Sequence, residues 1–302
     1  MPETPRIART GDALAVTVGE VDIARYVLRD DAPQAESPKP YLHPLRTLSG
    51  APLTGYRPSD HRWHKGLQMT LSHVSDQNFW GGPTFAREDG YQWRDNNGSI
   101  RHDRLRSSGE DGEGAATIAE DLTWVASTGE HWLEEVRSHR FHSVDRGRGL
   151  WALDFSSALS NVRGQDLHLG SPTTAGRPNA GYTGFFWRGP RSWTGGDAVA
   201  SNGRTGDGLM GAEADWVAFS AEHDEIDGGA TMVYLAGSSS APVPIRWFVR
   251  TTPIPVLSPS PAFGEEVVLT PGQRLSLHHR LVFVDRRCTA EESGALAKEF
   301  AL

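Results

Sequence analysis

Glycine and proline interrupt this chain of 302 residues 33 and 19 times, which leaves little room for long helices. Between the interruptions, short runs alternate apolar and polar residues with the period of a β-strand. Leu14, Val16 and Val18, then Val21 and Ile23 beyond Gly19-Glu20, read as a hairpin. The runs DLTWVAS, HWLEEVRSHRFH and LWALDFSSAL read as a meander, and WVAFSA, ATMVYLA, IRWFVR and RLSLHHRLVFV resume the pattern towards the C-terminus. Thr289, with Glu292 three positions on, forms a capping box ahead of the short helical run AEESGALAKEFA. Three stretches break the rhythm. Residues 31–40 carry three prolines and read as a loop or irregular edge. Residues 88–119 are charged and Gly-rich, and read as successive hairpin turns or one mobile surface loop. Residues 170–211 are loop-heavy yet hold several large aromatics. No linker divides the chain into two halves. The pattern predicts an all-β fold, a single antiparallel β-sandwich over residues 1–302 with a short C-terminal helix.

A 37% hydrophobic and 23% charged composition is that of a globular protein. The formal charge of −8 repels nucleic acid and anionic lipid, and no apolar run approaches the 18 residues needed to span a bilayer. No nucleic-acid partner and no membrane association are therefore expected. The lone Cys288 supports neither an intrachain disulfide nor a Cys-rich zinc site. The opening MPETPRIARTGDALAV lacks the apolar stretch of a secretory signal, so a cytoplasmic location is expected. Oligomeric state stays open, a homo-oligomer included. No GxGxxG follows a strand, and neither a P-loop nor a GxSxG elbow occurs. These absences set aside dinucleotide-dependent dehydrogenases, P-loop NTPases and serine hydrolases of the α/β kind.

The histidines carry the chemical interest, because imidazole titrates near neutral pH and is the commonest metal ligand. The densest polar stretch is Asp60-His61-Arg62-Trp63-His64-Lys65-Gly66, with His43 and Arg46 just upstream. His61 and His64 do not have the i, i+4 helical spacing of zinc proteases, so any convergence of their rings must come from a turn. A polar turn capped by Asp60 is the structural alternative. A divalent metal on His43, His61 and His64 is a further option. On the strand 131–142, Glu135, Arg137 and His139 share one face. They read either as a polar concave surface or as a solvated face with an ion pair. Glu135 is a candidate base or ligand and Arg137 a candidate anion binder. In Gly181-Tyr182-Thr183-Gly184-Phe185-Phe186-Trp187-Arg188, Tyr182 and Arg188 stand beside aromatic surface of the kind that stacks on sugar rings. Core packing by Phe185 and Trp187 is the alternative. His278 and His279, adjacent on a strand, face opposite sides and are read as structural.

Taken together, YLHPLRTLSG, DHRWHKGL, NFWGG, the Glu135-x-Arg137 strand and the closing LTPGQRLSLHHRLVFVD resemble the bacterial PmoA-like family over most of residues 10–287. The family's name alludes to a membrane-embedded methane oxygenase. A chain with no membrane-spanning run does not fit that activity. The resemblance implies an antiparallel supersandwich similar to galactose mutarotase, and company with sugar oxidoreductases in bacterial catabolism. Mutarotases work with a His acid and a Glu base. Here the place of the late Glu is taken by VRTTPIPVLSPSPAFG, and Trp63-His64-Lys65 departs from the family's own His pattern. Simple ring-opening epimerisation is therefore not the expectation.

The expected function is a carbohydrate-active lyase, isomerase or hydrolase acting on a small sugar or keto-glycoside. His61 or His64 would transfer the proton, with His43 or Glu135 opposite it or holding a metal. Arg46, Arg137 and Arg188 would stabilise developing negative charge, and Asp60, Lys65 and Tyr182 would complete the substrate contacts. The candidate region is locally basic inside an acidic chain, which suits an oxygen-rich or anionic small ligand. The alternatives are a non-catalytic sugar-binding protein and a His-ligated metal oxidoreductase.

Overall fold

The structure is a computed structural model that describes residues 3–224 and 226–302. Two eight-stranded antiparallel sheets pack face to face. The first runs in the order Arg6–Thr10, Ala13–Val18, Val21–Val27, Tyr41–Leu45, Leu67–Leu71, Thr183–Arg188, Val256–Ser260, Arg246–Arg250. The second runs Asp197–Ala200, Trp216–Glu222, Gly229–Ser239, Arg274–Val284, Leu150–Asn161, His131–Asp145, Ala116–Val125, Ser99–Glu110. This is the antiparallel β-sandwich the alternation predicts. A three-stranded sheet and the small hairpin of Thr84–Ala86 with Gly90–Gln92 sit beside it.

Period-two patterning explains the interior. Leu67, Met69 and Leu71 of one sheet and Phe155, Leu153 and Trp151 of the other enter a single apolar cluster. Phe185 lies flat on Phe155 across the gap, with ring centroids 3.6 Å apart. Removing such side chains from water contributes roughly 1.5–3 kcal/mol each. The helix Ala290–Glu299 starts at the predicted capping box, with the Thr289 side chain and Glu292 bonding each other's backbone N–H. It lays Leu296, Ala297 and Phe300 on the outer face of the second sheet, against Val233, Leu235 and Val282.

Two expectations are corrected. Residues 88–119 are not mainly loop, because Ser99–Glu110 and Ala116–Val125 form a long antiparallel pair. Ser99–Glu110 is an edge strand, so its charges stay in water and blur the apolar alternation. Within 170–211, Thr183–Arg188 is an interior strand of the first sheet, buried along its whole length. A strand covered on both faces shows no alternation from which to read it.

The outer face of the first sheet decides where a ligand can sit. Phe186 points away from the sandwich interior, as do Val256 and Phe248 on the neighbouring strands, and these three pack with Trp80 into a separate cluster. Loops fold over this face and leave a hollow.

Candidate active site

The His-rich stretch is a double turn. Tyr56 and Lys65 pair across its base, the His61 N–H donates to the Pro58 carbonyl at 2.9 Å, and the His64 N–H donates to the His61 carbonyl at 3.0 Å. His61 thus ends one turn and begins the next, which places its ring 4.8 Å from that of His64, centroid to centroid. Trp63 is seated by the glycines of NFWGG. A Cβ at Gly82 would stand 2.6 Å from the Trp63 ring, so only glycine lets the indole lie there.

His61 and Asp60 form a dyad. His61 Nδ1 lies 3.1 Å from Asp60 Oδ2, and Arg191 Nη2 donates to Asp60 Oδ1 at 2.6 Å. Partial burial opposes ionisation of Asp60, but the bond from His61, a backbone bond and the Arg191 charge outweigh it and hold the carboxyl below its ordinary range. An ionised carboxylate only accepts, so Nδ1 of His61 is the donor and Nε2 is left to exchange a proton with a ligand. His64 is different. It is 4% exposed, its Nδ1 is buried with no hydrogen-bond partner, and its ring packs on Phe186 at 4.8 Å and Trp80 at 5.8 Å. Burial, then the nearby His61, Arg188 and Lys39 charges, push its pKa well down, so this imidazole is neutral at neutral pH.

Both rings line a cavity of about 550 Å³. Its walls are Trp63, Trp80, Tyr91, Tyr182, Phe186 and Phe248, and Arg177 and Arg250 also reach it. The Tyr91 and Tyr182 hydroxyls meet at 2.8 Å and join the small hairpin to the far wall. Six aromatic rings around a hollow of this size, with imidazole and guanidinium groups among them, are suited to one or two sugar rings.

The other candidates are scattered. Tyr182 lines the cavity beside His61 and His64, and Asp60 and Arg188 adjoin it. His43 does not line it. Its ring stacks on Tyr56 at 4.8 Å, its Nδ1 lies 2.9 Å from Thr54 Oγ1, and burial followed by the Arg46 charge lowers its pKa to about 4. Arg46 reaches the Asp22 carbonyl instead. Lys65 is wholly buried, bonded to Asp30 and 3.4 Å from Glu36. Glu135 and Arg137 correct the expectation of a polar concave surface, because their face of His131–Asp145 is turned into the sandwich. Arg137 bonds both Glu135 oxygens, at 2.8 and 2.7 Å, and Trp124 and Ser157 donate to the same carboxylate at 2.8 Å each. Charges tolerate that interior because they are paired there. His43, His61 and His64 do not form a metal set, and no group of three or more potential ligands occurs among the described residues. His279 bonds the Ala236 carbonyl at 2.6 Å in the interior, opposite in facing to the half-buried His278.

Sequence reasoning missed Trp63, Trp80, Tyr91, Phe248, Arg177 and Arg250 as site residues. The signal for two of them was present, since alternation in IRWFVR places Phe248 and Arg250 on one face. Which face carried the hollow was not in the string.

A family model described as "Family of unknown function (DUF6807)" matches residues 13–298. No curated protein matches the chain. Among solved structures, the chain is similar to the GH36 alpha-galactosidase AgaB from Geobacillus stearothermophilus, with TM-score 0.43, 12% identity, and coverage of 93% of this chain and 41% of that one. The galactosidase domain of the alpha-galactosidase-sucrose kinase AgaSK is similar at TM-score 0.44 and 9% identity, over 92% of this chain and 42% of that one. The chain thus spans about two fifths of the length of these structures. None of these comparisons links the chain to the PmoA-like family that its motifs resemble. No helix among the described residues is long and apolar enough to cross a membrane.

Proposed function

Because the chain belongs to the family of unknown function DUF6807, a membership that names no reaction, we propose its function from the site: a carbohydrate-active enzyme working by imidazole acid-base catalysis. One observation carries the reading. A carboxylate-oriented imidazole, Asp60–His61, stands at the wall of an aromatic cavity of sugar size. Aromatic faces take up the apolar C–H faces of a pyranose, and the polar groups between them bond its hydroxyls.

Within the lyase, isomerase and hydrolase classes, β-elimination from a keto-glycoside suits these groups best. His61 Nε2 takes the proton from the carbon beside the ketone, and that C–H electron pair becomes the new C=C bond. The bond to the glycosidic oxygen breaks, and the His61 imidazolium gives its proton to the departing oxygen, which leaves as an alcohol. Asp60 stabilises the imidazolium formed on the way. His64, neutral and apolar in its surroundings, shapes the wall and offers one hydrogen bond.

The test is turnover of a panel of 3-keto-glycosides by the wild-type protein and by His61→Ala and His64→Ala. Loss of a general base lowers kcat by about 10²–10⁴-fold. Unchanged turnover in both variants would sink the proposal. Ligand-induced tryptophan fluorescence changes without product would show a sugar-binding protein built on the same cavity.

A further inference from the structure

A row of cations runs along one side of the cavity: Arg250 lines it, and Arg188 lies buried beside it. Arg188 is in register with Val256, and Val256 with Arg250, on three adjacent strands. Side chains of directly paired residues project to the same side, so the two arginines flank Val256 about 10 Å apart, two strand spacings. Val256 and Arg250 line the cavity. Arg188 is 1% exposed, and its Nε, Nη1 and Nη2 are all buried without a hydrogen-bond partner. A guanidinium carries five donors, and leaving them unpaired away from water is unfavourable unless something arrives to accept them. Burial lowers its pKa only to about 10, so it stays charged at neutral pH.

The remaining cations are equally unclaimed by acids. Arg250 makes one long bond, at 3.4 Å, to the Asn179 carbonyl. Arg177 bonds the Tyr91 hydroxyl and lies 4.9 Å from the centre of its ring. None of the three arginines has an ion-pair partner among the described residues, and no Asp or Glu lines the cavity. Asp60, the adjoining carboxylate, is already bonded to His61 and Arg191. A chain of net charge −8 therefore keeps a hollow whose lining holds positive groups and no acid, the Asp60 carboxylate beside it being shared with His61 and Arg191, and such a field draws in anions.

We infer that the ligand of this cavity is an acidic sugar, its ring stacked on the aromatic walls and its carboxylate taken by the Arg188–Val256–Arg250 row. The inference rests on the carbohydrate reading above and adds the charge. The guanidinium fork takes a carboxylate or a phosphate alike, and the carboxylate is favoured because its single charge costs less to move from water into a hollow walled by aromatic rings. The carboxylate supplies the acceptors that Arg188 lacks.

The experiment is calorimetric binding of D-glucuronate and D-galacturonate, of D-glucose and D-galactose, and of D-glucose 6-phosphate. The proteins are wild type, Arg188→Met and Arg250→Gln. The uronates are expected to bind the wild type about 30-fold more tightly than the neutral sugars, the span of a charge-assisted hydrogen bond. That preference is lost in both variants and weakens with added salt. Arg188→Met removes an unpartnered buried charge, so its Tm is expected to equal or exceed that of the wild type. If it fails to fold, Arg250→Gln, on a half-buried residue, carries the test. Equal binding of uronates and neutral sugars overturns the inference and leaves the carbohydrate reading standing. Tighter binding of the sugar phosphate overturns the carboxylate. Absence of binding by every sugar overturns both.

Discussion

Glu135 and Arg137 show how much one residue's meaning depends on its surroundings. In the string they are two charges on a strand, as ready for catalysis as for solvent. In the structure they form a buried bidentate pair whose remaining valences go to Trp124, Ser157 and, through Arg137 Nη1 at 3.2 Å, the Tyr26 hydroxyl. Tyr26 bonds Glu120, and His102 Nδ1 reaches the other Glu120 oxygen at 2.6 Å, so one connected polar network runs between the sheets. Removing one member leaves its partner charged and alone. Glu135→Ala is expected to destabilise the protein by about 3–5 kcal/mol, measured by denaturant unfolding. A loss below about 1 kcal/mol would show that the pair is not sealed from water. His61 is the opposite case, an exposed-edge residue whose chemistry comes from the carboxylate beside it.

At the scale of elements, the double turn 56–65 and the glycines 81–82 act as one unit. Turn hydrogen bonds bring His61 and His64 together, and Gly82, at φ +70°, gives up its side chain so that the Trp63 ring can lie against it. Gly82→Ala is expected to combine left-handed backbone strain of roughly 1–2 kcal/mol with displacement of the indole from the cavity wall. A lowered Tm, a shifted tryptophan emission and weakened sugar binding should appear together. A fall in Tm alone, with binding intact, would separate Trp63 from the ligand. The loop character of the 56–65 turn was legible from Pro58, Asp60 and Gly66 in sequence, because those residues favour turns for local reasons. The seating of Trp63 was not, because it depends on a second loop some twenty residues away.

For the whole molecule, buried histidines set the response to acid. His43 and His279 have pKa values near 4, His64 and His139 are pushed well below their ordinary value, and burial is the leading cause in each. The unfolded chain, with histidines near 6.5, binds protons that the folded state refuses. Stability is therefore fully present above about pH 6.5 and is lost as pH falls from there towards 4. Depressed carboxylates such as Asp154 add their loss only below the ordinary Asp range, at still lower pH. Chemical denaturation at pH 7.5, 6, 5 and 4.5 should show a steady decline. A flat profile down to pH 4.5 would mean that these rings are hydrated in the folded protein. The strands, the capping box and the all-β class were open to reading because they rest on local periodicity and on bonds between near neighbours. The Thr183–Arg188 strand was hidden because burial on both faces erases periodicity, and the long edge pair after residue 99 because solvent-facing charge does the same. By itself, then, the sequence determined an alternating, turn-rich chain with a His-bearing loop. Only the tertiary structure decided that Glu135 and Arg137 face inward while Arg188 and Arg250 flank Val256 on the sheet face that carries the cavity. Those placements follow from strand order and sheet packing, contacts between residues far apart in the chain that no local pattern encodes.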